Sequence, residues 1–145
     1  NETVTKALQG TLVELIDLAL IGKQAHWSVV GPQFRSIHLE LDEIVDLARD
    51  QYDRVAERLA TIGIAPDGRA ETISTTSELA PFPEGFVPAT ETVQRVTQVM
   101  DTIALRMKER IVAVGDDDPV SQDILIGATD ELEKAAWMLR SQLTM

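Results

Sequence analysis

"GIAPDGRAETISTTSELAPFPEGFVPAT", residues 63 to 90, holds four of the six prolines of this 145-residue chain. It separates two long runs of helical hydrophobic periodicity and is far too long for a tight turn between them. The run before it, ending near residue 62, predicts a helix of about 29 residues, roughly 43 Å long at 1.5 Å per residue. A connection of this size can run back along such a helix, so that the helices on either side of it lie parallel. Within it, "RAETISTTSEL" predicts a short helix. The architecture turns on this crossing, because a short link would make the same two helices antiparallel.

Four amphipathic stripes surround it. From Lys6 to about Trp27 the apolar positions Leu8, Leu12, Leu15, Ile16 and Ala19 recur at helical spacing. Phe34, Ile37, Leu41, Ile44, Ala48, Tyr52, Val55, Leu59 and Ile62 alternate steps of three and four. Gly31-Pro32 separates these two helices, and Gly63 closes the second. A third stripe runs through Val93, Val96, Met100, Ile103, Met107, Ile111 and Val114 to Gly115. The fourth opens at Asp118-Pro119, a capping residue followed by proline at the first helical position, and continues as Ile124, Ala128, Leu132, Ala135 and Leu139. Met100 and Met107 sit on the stripe as core filler. The expectation is an all-α four-helix bundle over residues 1–145, one domain, with the long crossover between helices two and three.

Composition narrows the chemistry. There is no cysteine, which removes disulfides, thiolate metal sites and cysteine nucleophiles. A metal would have to be held by carboxylate, imidazole or carbonyl groups. The net charge of −11 works against a general attraction to nucleic acid or anionic lipid and favours cations. No apolar run approaches the roughly 18 residues of a membrane span, and no signal peptide is visible, so a cytoplasmic location is the default expectation.

"HWSVVGPQFRSIHLELDE", residues 26 to 43, contains both histidines of the chain. His38 and Asp42 are four apart on the second helix, as are Asp53 and Glu57, so each pair can share a ligand. All four fall within about 100° of one another on the helical wheel. One ion cannot take all four, because Asp42 and Asp53 are about 16 Å apart along the axis and metal–ligand bonds are about 2.0–2.3 Å. The quartet is also turned roughly 125° from the apolar stripe, so it looks outward, to a neighbour. If that neighbour is a second copy packed antiparallel about a two-fold axis near Asp46 and Leu47, His38/Asp42 of one chain faces Asp53/Glu57 of the other, and the contact makes two mixed sites. Ala56 and Ala60 permit close approach, Arg49 lies near the axis, and His26 can reach the histidine side. Imidazole with hard carboxylate suits iron best, and Fe(II) passing to Fe(III) at such a site is ferroxidase chemistry.

"KQAHWSVVGPQFRSIHLELDE" followed by "DRVAERLATIG" resembles the ferroxidase signature of the Dps family, the DNA-protection-during-starvation miniferritins of the ferritin-like superfamily. The histidine-tryptophan pair, the second histidine twelve on, the aspartate four further and D-x-x-A-E-R eleven beyond all match. The resemblance implies a ferritin-like four-helix bundle and ligand roles for His26, His38, Asp42, Asp53 and Glu57 in a di-iron site at the two-fold interface of a hollow homododecamer. There Fe(II) is oxidised, commonly by hydrogen peroxide, with dioxygen the other oxidant, and ferric mineral is stored inside, which protects against oxidative damage. It also implies acidic iron-entry pores at three-fold axes, to which Asp118 and Asp123 correspond, with Asp130 two turns below Asp123 on nearly the same face; Trp27, next to His26, is a candidate for absorbing oxidising equivalents near the iron.

Each of these residues has a plainer reading. His38 with Asp42 is also a helix-stabilising pair, Asp53 and Glu57 a solvated face beside Arg54 and Arg58, and Asp118 a helix cap. Trp27 and Trp137 fit core or interface aromatics. The rival function is a structural DNA-compacting protein, since many relatives coat DNA. Such relatives often rely on a basic terminal tail, whereas "NETVTKALQG" and "RSQLTM" carry little positive charge and an acidic body repels phosphate. A helical interaction module with an accidental acid–histidine face is the third reading.

Overall fold

The computed structural model describes residues 1–143. Five α-helices account for most of them: α1 (Glu2–Ser28), α2 (Phe34–Thr61), α3 (Ala70–Thr76), α4 (Ala89–Val114) and α5 (Pro119–Arg140), with one 3-10 turn at Ser141–Leu143. α1 begins four residues before the predicted Lys6, because Asn1 caps it: the Asn1 side chain accepts from the Val4 amide at 3.1 Å. α2 stops as predicted. Gly63 takes φ +88, and the amides of Gly63 and Ile64 donate back to the carbonyls of Ala60 and Leu59 at 3.0 and 2.9 Å. These two bonds form a Schellman motif, which needs a residue free to enter the left-handed region.

Contacts between named side chains give the helix directions. His26 meets His38 and Lys23 meets Asp42, so α1 and α2 are antiparallel. Lys108 pairs with Glu133 and Asp101 with Arg140, so α4 and α5 are antiparallel. Arg58 at the end of α2 pairs with Asp118 at the start of α5, while Glu40 near the other end bonds Gln142. α2 and α5 therefore oppose each other, which leaves α2 and α4 parallel, as the crossover requires. The crossover contains the short helix, α3, and is tied to α1 by two hydrogen bonds between Gln9 and the Asp67 backbone and by Ser77 donating to Asp17 at 2.5 Å. Its end is fixed by a feature the sequence pattern did not announce: Val29–Val30 (β1) pairs in parallel with Val87–Pro88 (β2).

The core lies between the four long helices. Leu8, Leu12, Leu15, Leu18, Leu41, Leu59, Ile103 and Leu132 are all but fully buried, and so are Met100 and Met107, in the filler role expected of them. Each large aliphatic side chain so buried contributes about 1.5–3 kcal/mol of transfer free energy. Trp27 and Trp137 are not core residues. They are 64% and 58% exposed. No helix among the described residues is long and apolar enough to cross a membrane.

Candidate metal centre

α2 presents two polar half-sites beside its buried face. Ile37, Leu41, Ala48, Val55 and Leu59 are fully enclosed, while His38 and Asp42 are half-buried and Asp53 and Glu57 exposed. The carboxylate and imidazole positions thus sit off the core, where the wheel places them.

The histidine half-site is built by the last turn of α1 and the first turn of α2. The two imidazole rings stack with centroids 3.7 Å apart and planes 10° apart. Each ring also fixes the other through the main chain. Nδ1–H of His26 donates to the His38 carbonyl at 2.6 Å, and Nδ1–H of His38 donates to the His26 carbonyl at 2.7 Å. A carbonyl can only accept, so both Nδ1 atoms carry the proton. In the neutral ring this leaves the lone pair on Nε2, the form in which imidazole binds a metal. Phe34, one turn before His38, stacks on its other face at 4.8 Å. His26 is only 8% exposed, sealed by this packing.

Asp42, one turn beyond His38, is held by Lys23, whose ammonium lies 2.5 Å from Oδ1. The hydrogen bond and charge of Lys23, with smaller contributions from the two histidines, hold the Asp42 carboxyl below its ordinary value of 3.8. Lys23 is three residues before His26 on α1, so its presence on this face was readable from helical spacing, although the sequence analysis passed it over. Phe34 was legible in the same way, four residues before His38.

The acid half-site behaves differently. Hydrogen bonding with Asp53, then its negative charge, pushes Glu57 above its ordinary value of 4.5. Two carboxylates brought together without a counter-ion repel each other, which favours the protonated form, and a cation relieves the same repulsion. The two half-sites do not meet within one chain. Among the described residues no group of three or more histidine, aspartate or glutamate side chains is close enough to hold an ion.

The acidic turn before α5 divides. Asp118 caps the helix, accepting from the Ser121 amide at 3.1 Å and from its hydroxyl at 2.5 Å. Arg58 also donates to both Asp118 oxygens, at 3.0 and 3.1 Å. The Ser121 bonds, with Arg58 adding to them, hold its carboxyl down at about 2. Asp123 and Asp130 are exposed.

The bundle with this crossover has solved counterparts. The Ferritin-like domain family matches residues 5–145. The crystal structure of Dps92 from Deinococcus radiodurans superposes with a TM-score of 0.95 at 35% identity, covering 99% of this chain and 89% of that one. The chain belongs to the Dps family of ferritin-like proteins. Among the relatives of this Dps-family chain, the DNA protection during starvation protein 2 of Deinococcus radiodurans is 36% identical over 95% of the chain, which spans 57% of that relative's length. The fine tangled pili major subunit of Haemophilus ducreyi is 38% identical over 97% of the chain and 74% of its own length.

Proposed function

We propose that this Dps-family chain is a ferroxidase and iron store: it oxidises Fe(II) at sites shared between two copies and keeps the ferric product inside a closed homododecameric shell. The observation that carries this reading is the split between half-sites. His26 and His38 stack with neither Nε2 in a hydrogen bond among the described residues, and Asp42 lies one turn beyond His38. Asp53 and Glu57 make the other half-site, a carboxyl pair in which Asp53 raises the Glu57 carboxyl above its ordinary value. The two half-sites are complementary, lie on the same side of α2, and are too far apart for one chain to combine. An isologous pairing about the middle of α2 joins them twice.

In this reading Fe(II) is the substrate. The imidazoles and carboxylates bind it, and the hard oxygen donors favour the ferric product. Two Fe(II) supply the two electrons that cleave the O–O bond of one hydrogen peroxide, whose oxygens take up two protons from solvent and leave as two waters while both irons become Fe(III), so no one-electron radical is released; dioxygen is the alternative oxidant. Asp123 and Asp130, with the turn at Asp118, would line an acidic entry path that concentrates cations. Trp27, next to His26 in the chain and exposed, would take stray oxidising equivalents. The same reading puts the protein in the cytoplasm.

The test is anaerobic addition of Fe(II) followed by peroxide, monitoring ferric absorbance, beside a mass measurement. Fast oxidation by an oligomer is expected, with loss of the fast phase and retention of the assembly in the His38→Ala/Asp42→Ala variant. Full-speed oxidation by that variant, or by a monomer, overturns the proposal. The name of the Deinococcus relative brings in DNA, but the charge of −11 disfavours direct binding. A gel shift across a salt series distinguishes the two.

A further inference from the structure

On the side of the bundle away from the histidines, α1, α4 and the crossover enclose a groove of about 760 Å³. Its floor holds a charged group in an unusual position. Glu14 of α1 is 3% exposed, although its neighbours Leu12 and Leu15 are core residues. Both of its oxygens are occupied: Oε1 accepts from Arg110 Nη1 at 2.6 Å and Oε2 from Arg106 Nη1. Two guanidiniums are gathered on one buried carboxylate, and the same groove is also lined by Asp67, Glu78 and Glu109. Glu78 approaches Arg106 only at 3.6 Å from an exposed position on the rim.

Arg110 uses little of its hydrogen-bonding capacity. Its contacts with Glu14, Thr11 and Met107 all involve Nη1. Nε and Nη2, the edge that matches two oxygens of a carboxylate or phosphate, have no hydrogen-bond partner among the described residues. The position of the guanidinium is enforced from below by Gly10. A Cβ there would stand 2.9 Å from Nη2, 3.2 Å from Cζ and 3.3 Å from Nε, so the flat group lies directly on the glycine. The fork is therefore preorganised: Glu14 anchors one nitrogen, Gly10 gives the plane its seat, and Arg110 lines the groove.

We propose that this groove is a binding site for a small oxyanion, a carboxylate or phosphate group, received by the Nε/Nη2 edge of Arg110. Asp67, Glu78 and Glu109 also line the groove and repel an extended polyanion, so the ligand is metabolite-sized. The site is independent of the iron chemistry proposed above and stands or falls separately from it.

Isothermal titration of the assembled protein at low ionic strength tests it, with inorganic phosphate in one arm and succinate in the other. Saturable binding in at least one arm is expected, and the arm that binds names the head group. Arg110→Lys keeps a charge beside Glu14 but cannot offer the fork, and should weaken binding by about tenfold or more. Gly10→Ala displaces the guanidinium and should do the same, which keeps the test open if the lysine variant fails to fold. Arg95→Gln, which removes an exposed arginine paired with Glu91, should bind as the parent does. Absence of saturable binding in both arms overturns the proposal. So does undiminished affinity in Arg110→Lys or Gly10→Ala, or an equal loss in Arg95→Gln, which would mean that general surface charge is being measured.

Discussion

The Lys23 ammonium lies 2.5 Å from Asp42 Oδ1, on the same face as the two histidines. A cation drawn to Asp42 must therefore displace, or share the carboxylate with, a cation already present. Lys23→Met removes that competitor and should raise the affinity for Co(II), a spectroscopically visible stand-in for Fe(II), by up to about fivefold, as for loss of a surface ion pair. The d–d absorbance of a Co(II) titration reads this directly. Unchanged or weaker binding in the variant would show that Lys23 supports the half-site instead of competing for it.

Glu57 gives a prediction about stability in the metal-free protein. Its carboxyl is raised above 4.5 by Asp53. A raised acid contributes stability that is complete below its unfolded value and is lost as the pH climbs through the folded one. At neutral pH the metal-free pair is therefore a destabilising element. Asp53→Asn should melt at a higher temperature than the parent at pH 7, and the difference should close below about pH 4.5. The same variant should lose fast iron oxidation. Stability and activity are opposed at this pair, which is the usual sign of a site arranged for a ligand.

Asp118 shows the opposite sign. Its carboxyl is held at about 2 by Ser121 and Arg58, against an ordinary value of 3.8. The stability it confers is complete above 3.8 and disappears as the pH falls toward 2. Asp118→Asn preserves a capping oxygen but not the charge opposite Arg58; Asp118→Ala loses both. The alanine variant should cost about 0.5–2 kcal/mol for the cap alone, with the asparagine variant between it and the parent in urea melts at pH 7. An acid titration in which the parent and the asparagine variant converge near pH 2 would identify the ion pair as the source of the difference.

The helices and their crossover were legible because each depends on a local rule. Ile37, Leu41, Ile44 and Ala48 mark a buried face by spacing alone, Asp118-Pro119 announces a helix start, and the proline-rich stretch after Gly63 excludes a tight hairpin. The half-sites were legible for the same reason, since His38 and Asp42, or Asp53 and Glu57, are neighbours on one helix. What escaped depends on the register between helices. Glu14 reads as a break in a leucine stripe until Arg106, 92 residues away, is seen to meet it. The reciprocal bonds of His26 and His38 run through backbone carbonyls, which carry no residue-specific signal. The exposure of Trp27 reverses a prior based on side-chain type, because an aromatic next to a core helix is normally expected to be covered.

That register is set at Gly22, where the last prediction lies. A Cβ there would stand 2.8 Å from Val45 Cγ2, so glycine allows α1 and α2 to approach closely one turn before the histidine stack. Val45 is β-branched and fully buried, and cannot turn aside without disturbing its own packing. Gly22→Ala gains about 1 kcal/mol of helix propensity but forces the two helices apart, and overpacking of this kind costs about 1–3 kcal/mol. The net effect should be a neutral to moderately destabilised protein. The local effect should be larger, because the His26–His38 contact closes over 3.7 Å and both Nδ1 bonds span the same gap. Co(II) affinity should fall by about tenfold, as for loss of a bond that orients a metal-binding histidine, even where the melting temperature barely moves. A variant that loses stability but binds Co(II) as the parent does would show that the helix spacing at Gly22 is not what holds the two imidazoles in place.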